Sequence, residues 1–369
     1  MSRLRVAYII CLIALLAGSG RAGLPTDSSV KPEITDLGFL DLRSPQLDQM
    51  AQRADRPPWA PLPVMWGRSG MVPVIEEVLG GDSAQDRIRA AFLLGQIGDR
   101  AATKSLLNAL DDPCRDVRIQ AGIALACLGD ERGQHAAWAA LIGEPQWIRY
   151  YAVLGLSRLN TDRIRQNLKQ IQPQQPEFIS RTVQAALDQP APVPAVAPER
   201  QTLTLDCGEI DVLWNAVIGA FNVETDWWWH HGDYDQCIRC MQVMLLMDPT
   251  LTETYSNIAW LQWSLGDETS AIGTYHRALS ELPDNAWSYH YLGQHYFMTR
   301  RYELAIPYLR EAVRLQPDII SRRMLAHSLE HTGQMDACLG HWREMYEQSP
   351  DDPAVKFNYE RVKKLCEGR

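Results

Sequence analysis

The chain has 369 residues, of which 46% are hydrophobic and 22% are charged, a balance typical of globular proteins and a length sufficient for two domains. Its formal net charge is −9, and the acidic balance is not interrupted by a basic run. These features argue against binding to nucleic acid or to an anionic membrane surface.

The first 22 residues have the pattern of an export signal. Arg3 and Arg5 precede an apolar run over residues 6–17, and small residues follow as far as Ala22. The apolar run is too short to span a bilayer comfortably, which favours a cleaved signal over an uncleaved anchor. We therefore expect an exported protein, periplasmic or secreted, with no integral membrane span after cleavage.

Residues 23–64 are rich in proline and in turn-forming residues. Only one short helix is predicted there, with Ser44 as its N-cap and Pro45 in its first turn. The remainder of this segment is expected to be an extended or disordered arm.

A first sequence period, of about 31 residues, follows over positions 65–188 and falls in the range of helical-hairpin repeats. Gly98-Asp99 recurs as Gly129-Asp130 and as Asn160-Thr161. Such a period indicates helical hairpins that stack because none can bury its apolar face alone. Two further positions keep the spacing, namely Ala90, Ala121 and Ala152, and Leu94, Leu125 and Leu156.

Residues 116–130 read Asp-Val-Arg-x-x-Ala-Gly-x-Ala-Leu-x-x-Leu-Gly-Asp. This wording resembles HEAT-like repeats of the kind named after the phycobilisome lyases. The resemblance covers about residues 65–187 and implies an α-solenoid. It does not imply bilin chemistry, because such repeats occur in many unrelated interaction proteins.

Arginine recurs at one point of each HEAT-like unit, as Arg87, Arg118 and Arg149. One interpretation is a stripe that binds an anionic ligand. We favour a structural role, because exposed charges of both signs alternate here and ordinarily solvate a helix face. Each arginine would then pair with a loop acid, the candidates being Asp86, Asp116 and Glu144.

A proline-rich linker over residues 189–200 separates two arrays. Four prolines stand within nine residues, from Pro190 to Pro198, and they predict a semi-rigid spacer that sets the reach between the arrays. A plain linker is favoured over a docking ligand for an aromatic groove. Apolar residues at helical spacing then predict a leading helix over residues 201–217 that runs into the tryptophan-rich segment at 227–229.

A second sequence period, of about 34 residues, marks positions 218–352. Two consecutive segments share it without gaps: Tyr255, Ala259, Gly266, Ala271 and Pro283 fall on Tyr289, Gly293, Arg300, Ala305 and Pro317. Each segment holds two amphipathic stretches that are parted by a turn and closed by a proline, which stops the second helix.

This pattern resembles the tetratricopeptide repeat. Four units would occupy residues 218–352, and residues 353–369 would form a solvating cap with Val355, Tyr359, Val362 and Leu365 at helical spacing. The expected fold class is therefore all-α, with two α-solenoid domains joined by the proline-rich linker. The resemblance also implies that the first helix of each unit lines a concave groove.

Helical spacing assigns eight residues to that groove as candidate partner-binding residues. They are Trp229, Trp260, Trp263, Trp287, His290, Gln294, Phe297 and Arg323. Exposed aromatic clusters mark interaction sites, so we expect a protein or peptide segment as the partner. The alternatives are packing against the leading helix or the other array, or a groove used by a carbohydrate or small-molecule binder or by an enzyme.

The cysteines indicate a structural role rather than a catalytic or metal-binding one. Eight are present, and removal of Cys11 with the signal would leave seven. Cys237 and Cys240 form a C-x-x-C pair, but Met241 stands where c-type haem attachment needs histidine. His230 and His231 would complete a zinc-compatible set, although the helical register separates them from the cysteines. We expect a structural pair, either bonded to Cys207 or unbonded.

The sequence contains none of the familiar catalytic motifs. There is no G-x-S-x-G elbow, no H-E-x-x-H helix and no phosphate-cradling glycine loop. We therefore expect no enzymatic activity, no cofactor and no metal. The pattern gives no indication of oligomeric state.

Overall fold

The computed structural model describes residues 71–188, 210–316 and 318–368. Over these ranges the chain forms seventeen α-helices joined by turns, and no strand. The all-α prediction is confirmed. The predicted export signal over residues 1–22, the arm over residues 23–64 and the linker over residues 189–200 lie outside the described residues.

The N-terminal array contains eight α-helices. They are α1 (Val72–Leu79), α2 (Ala84–Ile97), α3 (Thr103–Asn108), α4 (Arg115–Cys127), α5 (Gln134–Gly143), α6 (Gln146–Leu159), α7 (Asp162–Ile171) and α8 (Glu177–Asp188). The helices α2, α4, α6 and α8 stack in sequence, and α5 packs against both α4 and α6. This is the arrangement expected of stacked helical hairpins.

The first sequence period is visible in the backbone. Gly98, Gly129 and Asn160 have φ angles of 78°, 77° and 43°, so each unit leaves its long helix through one left-handed residue. The residue that follows caps the next helical segment through its side chain, as Asp99 does for the amide of Ala101. The repeated Gly-Asp pair therefore ends one helix and starts the next.

The recurring arginines hold the loops of the array together. The Arg87 guanidinium makes two hydrogen bonds to the Asp112 carboxylate, at 2.8 and 3.1 Å, and this pairing lowers the pKa of Asp112. Arg118 and Arg149 instead donate to backbone carbonyls of the preceding loop, at 2.6 Å to Asp112 and 2.5 Å to Glu144. The three recurring arginines therefore have a structural role.

The acids that the sequence suggested are not the partners of these arginines. The Asp86 carboxylate pairs with Arg89 at 2.7 Å, and the Glu144 carboxylate pairs with Arg115 at 2.6 Å. Asp116 also faces Arg115. The predicted pairing with a loop acid is therefore correct in kind for Arg87, whose partner is Asp112, and wrong for Arg118 and Arg149. A loop offers the long arginine side chain uncompensated carbonyl groups as well as carboxylates.

The C-terminal array contains nine α-helices. They are α9 (Ile210–His230), α10 (Tyr234–Met247), α11 (Thr252–Ser264), α12 (Glu268–Glu281), α13 (Ala286–Met298), α14 (Tyr302–Leu315), α15 (Ile319–His331), α16 (Met335–Gln348) and α17 (Pro353–Glu367). Consecutive helices pair into four hairpins, and α17 packs on α16. The helix α9 is continuous from residue 210, so this part of the predicted leading helix belongs to the first hairpin.

Left-handed residues also mark the second sequence period. Gly232, Gly266, Arg300 and Gly333 have φ angles of 73°, 93°, 60° and 75°. Each stands in the turn between the two helices of one hairpin. Their spacing keeps the predicted four-unit register, except that the interval between the last two turns is one residue shorter than the others.

The terminal helix α17 packs through part of the face that the sequence predicted. Val355 and Val362 are fully buried, and the Tyr359 ring stacks on Tyr346 with 5.0 Å between centroids. Leu365 was grouped with them, but 48% of it is exposed. The helix thus caps the array on one side and leaves apolar surface on the other.

The two arrays touch each other directly. The helix α10 packs against α6, and the Leu246 carbonyl at the end of α10 accepts hydrogen bonds from Gln85 at 3.1 Å and Arg89 at 2.9 Å on α2. Both arrays accordingly belong to one compact unit. Direct contacts between side chains and helix ends therefore hold the two arrays together, in addition to the linker.

None of the described helices is both long enough and apolar enough to cross a membrane.

Candidate partner-binding face

The predicted site residues lie on the first helices of the four hairpins. Trp229, Trp263 and Phe297 occupy one position of α9, α11 and α13, because the repeat period separates each from the next. Trp260 and Gln294 share a second position, one turn earlier on α11 and α13. We use the name first-helix face for the six residues Trp229, Trp260, Trp263, Trp287, Gln294 and Phe297. All six are half-buried.

The face begins where α9 meets α11. The rings of Trp229 and Trp260 lie 6.4 Å apart with an interplanar angle of 34°, and Trp229 also meets the edge of Tyr234 at 5.3 Å. Asp226 precedes Trp229 by one turn and is exposed. Two indoles on neighbouring helices thus support each other while part of each remains open to solvent.

Trp263 continues the face towards α13. Its ring meets His295 edge-on at 5.7 Å and packs against the buried core of the array. The His295 imidazole lies 3.3 Å from the Glu268 carboxylate, which also accepts a hydrogen bond from Arg301. Burial lowers the pKa of His295, so the neutral ring is favoured. These contacts fix the orientation of the Trp263 indole.

Trp287 stands at the start of α13, where Asn285 caps the helix by accepting hydrogen bonds from the amides of Trp287 and Ser288. The indole lies 4.9 Å from the His290 ring and 5.9 Å from the Tyr291 ring. Helix capping and ring contacts together hold this side chain in place. At the other end of α13, Phe297 meets Tyr302 edge-on at 5.7 Å.

Two predicted residues are engaged within the fold. His290 is only 3% exposed, and its Nδ1 lies 2.7 Å from the Ser321 hydroxyl on α15. Its assignment to an open groove is corrected, because the side chain joins two helices and cannot reach a partner in this conformation. Arg323 is half-buried and forms an ion pair of 2.5 Å with Asp352, so its charge is already compensated.

The structure adds Tyr291 to this region, and the helical spacing of the sequence adds Ile320. Tyr291 is half-buried beside Trp287, and burial, with the Glu253 carboxylate nearby, raises its pKa to about 12. Ile320 is 50% exposed and occupies, one hairpin later, the position of Trp287. Extension of the repeat register into α15, with its slightly shorter spacing, is the sequence signal that leads to Ile320.

The charges around the first-helix face are acidic. Asp226 and Glu253 are exposed, and neither is paired with a lysine or arginine among the described residues. The base that the sequence assigned to this region, Arg323, is neutralised by Asp352. A ligand that approaches this surface therefore meets aromatic rings flanked by carboxylates.

The C-x-x-C pair lies inside the fold. Cys237 and Cys240 are both buried on α10; the Cys237 thiol donates to the Thr225 carbonyl at 3.5 Å, and burial raises its pKa to about 12. His230 and His231 are exposed at the end of α9, each with Nδ1 at a carbonyl of its own helix. Within the described ranges, no three His, Cys, Asp or Glu side chains gather as metal ligands. Cys207 lies outside the described residues.

Two family models match this chain. Residues 72–157 match HEAT repeats, and residues 286–319 match a tetratricopeptide repeat. The chain carries HEAT repeats followed by a tetratricopeptide repeat. The two matches fall within the two helical arrays, and repeat scaffolds of these kinds typically mediate protein interactions.

Comparison with solved structures gives weak similarities. The chain is 17% identical to a mutant of MamA, with a TM-score of 0.32, over 44% of this chain and 91% of that chain. It is 14% identical to a chain in "Crystal structure of APC/C hetero-tetramer Cut9-Hcn1", with a TM-score of 0.32, over 79% of this chain and 58% of that chain. Scores this low carry no argument about function. No curated protein matches the chain.

Proposed function

We propose that this protein is an exported, non-enzymatic scaffold, periplasmic or secreted, that binds an extended segment of a partner protein along the first-helix face. The observation that carries the proposal is the series of half-buried aromatic side chains on three successive first helices. Rigid, partly exposed aromatic side chains are the residues that most often anchor protein interfaces. Support for export comes from the basic and apolar pattern of residues 1–22.

The spread of the anchors favours a polypeptide segment over a small ligand. Packed helices lie about 8–10 Å apart, so three successive first helices span roughly 20 Å. An extended chain covers about 3.3 Å per residue, and six or seven residues would reach from Trp229 to Phe297. A single small molecule would meet only one pair of rings, such as Trp229 and Trp260.

The charge of the face suggests the chemistry of the segment. Asp226 and Glu253 favour a partner segment that is neutral or basic, since like charges across an interface are costly. Aromatic grooves also accept proline-rich segments, whose extended conformation costs little entropy on binding. We therefore propose a proline-containing segment with lysine or arginine beside it.

The experiment is capture of partners from the native envelope fraction by the wild-type protein and by the Trp260→Ala, Trp287→Ala double variant. The double variant is expected to lose the partner while circular dichroism shows unchanged helicity. Trp147→Ala is a matched control, because Trp147 is a half-buried tryptophan of the other array. Retained capture by the double variant, or a tryptophan fluorescence response to oligosaccharides but to no peptide, would contradict the proposal.

A further inference from the structure

One side of α17 carries exposed apolar side chains. Phe357 is 65% exposed and Leu365 is 48% exposed. Together with Glu360, Arg361 and Lys364 they line an open depression of about 390 Å³. Large apolar side chains that are exposed together on one face mark a contact surface. Two large apolar side chains here therefore need an explanation.

The helix α17 is held firmly against the array. Val355 and Val362 are fully buried. The Arg361 guanidinium donates two hydrogen bonds to the Glu330 carboxylate on α15, at 2.5 and 2.7 Å. The exposed side is thus fixed in space before any partner arrives, which lowers the entropic cost of association.

The exposed side is complementary to itself under a two-fold rotation. Phe357 and Leu365 lie four residues on either side of Arg361. If two copies of α17 pack antiparallel about Arg361, Phe357 of each copy faces Leu365 of the other. Two apolar contacts form together, as in any isologous interface.

The charges of this side fit the same arrangement. In the antiparallel pair Glu360 lies within one turn of Lys364 of the second copy, so two intermolecular ion pairs form. Arg361 sits at the centre, where two like charges would otherwise meet. Because Glu330 already compensates Arg361, this approach does not bring two bare cations together.

We propose that α17 is a homodimerisation face, which pairs antiparallel with α17 of a second copy of this chain. The contact is separate from the first-helix face and does not depend on the function proposed for it. One helix face buries less than the roughly 1,200–2,000 Å² of a standard interface. The dimer is accordingly weak and in rapid exchange with the monomer.

Sedimentation equilibrium of the full chain, over about 1–200 µM protein, tests the proposal. The wild-type protein is expected to show a monomer–dimer equilibrium. Glu360→Lys or Lys364→Glu alone is expected to weaken the dimer about tenfold, and the Glu360→Lys, Lys364→Glu double variant to restore it. Phe357→Asp is expected to abolish the dimer.

Val223→Asp is the matched control, because Val223 is 64% exposed on α9, away from α17, and its replacement is expected to leave the dimer unchanged. Circular dichroism verifies that each variant is folded. A wild-type protein that stays monomeric throughout overturns the proposal. A dimer that survives Phe357→Asp, or one that the double charge exchange does not restore, overturns it as well.

Discussion

Arg239, on α10 of the C-terminal array, donates a hydrogen bond of 2.6 Å to the hydroxyl of Tyr151 in the N-terminal array. Its guanidinium also lies 4.7 Å from the centre of the Tyr150 ring and donates to Gln236 at 2.5 Å. Arg239 is only 4% exposed. A buried cation needs such a complete set of partners, because desolvation of an unpaired charge costs several kcal/mol. This residue couples the two arrays.

Replacement of Arg239 is therefore expected to uncouple them. Arg239→Ala should lower the free energy of unfolding by about 3 kcal/mol, since it leaves a cavity and removes the partner of the buried Tyr151 hydroxyl. Calorimetry should show the two arrays melting separately. Arg181→Ala is the control, because its half-exposed ion pair with Asp235 is expected to contribute below about 1 kcal/mol. Equal stability of the two variants would contradict this coupling.

Arg300 is expected to be a suboptimal residue at its position. Its φ of 60° is left-handed, and the equivalent residues in the other three hairpins are glycines. A side chain in this conformation costs about 1 kcal/mol, partly offset by the greater freedom of glycine when unfolded. Arg300→Gly should thus raise the midpoint of urea unfolding. A lower midpoint would show that the exposed arginine makes an interaction that outweighs its backbone strain.

Stability is expected to fall in mild acid. Burial lowers the pKa of His290 and His295, so the folded state binds fewer protons than the unfolded state. Their contribution is complete above the ordinary histidine pKa of about 6.5 and is lost progressively as the pH falls below it. The melting temperature should drop between pH 7.5 and pH 5. His290→Gln should flatten that dependence, whereas replacement of the exposed His135 should not.

Close helix packing at Gly293 gives a fourth prediction. A Cβ there would lie 2.7 Å from Cγ of Leu309 and 3.3 Å from its backbone nitrogen. Gly293→Ala should therefore destabilise the array by about 1–3 kcal/mol. Gly273→Ala is the matched control, because a Cβ there meets nothing within 4 Å and alanine favours a helix by about 1 kcal/mol. In chemical denaturation Gly293→Ala should lower the free energy of unfolding and Gly273→Ala should raise it. Equal effects of the two substitutions would contradict the close packing.

The sequence predicted the local features of the fold well. Residues such as Gly266 and Asp267 encode a left-handed turn and a helix cap within a few positions, and their spacing repeats. Burial of His290 was not predicted, because the face of a helix that a neighbour covers depends on Ser321, 31 residues away. No sequence pattern predicts the contact between Arg239 and Tyr151, which are 88 residues apart. Sequence periodicity predicts the individual helical hairpins. Contacts between residues of different hairpins or arrays depend on how the helices pack in three dimensions.

For the first-helix face, sequence spacing predicted that the aromatic residues lie on one side of successive helices. It did not predict how exposed each of them is. Trp260 and Trp287 both contact other rings, yet each keeps part of its surface exposed. The exposure of Phe357 was not predicted from the sequence. Phe357 lies outside the periodic apolar positions of α17, such as Val355 and Val362, so only its 65% exposure reveals it.

Photo-crosslinking in the native envelope tests the central claim most directly. Trp260 is replaced by a photoreactive benzoylphenylalanine, a residue of similar size, and His135 is replaced likewise as an exposed control on the HEAT array. Irradiation is expected to yield a discrete covalent adduct with a polypeptide from position 260 and none from position 135. The absence of any adduct at position 260, or the same adducts from both positions, would contradict binding along the first-helix face.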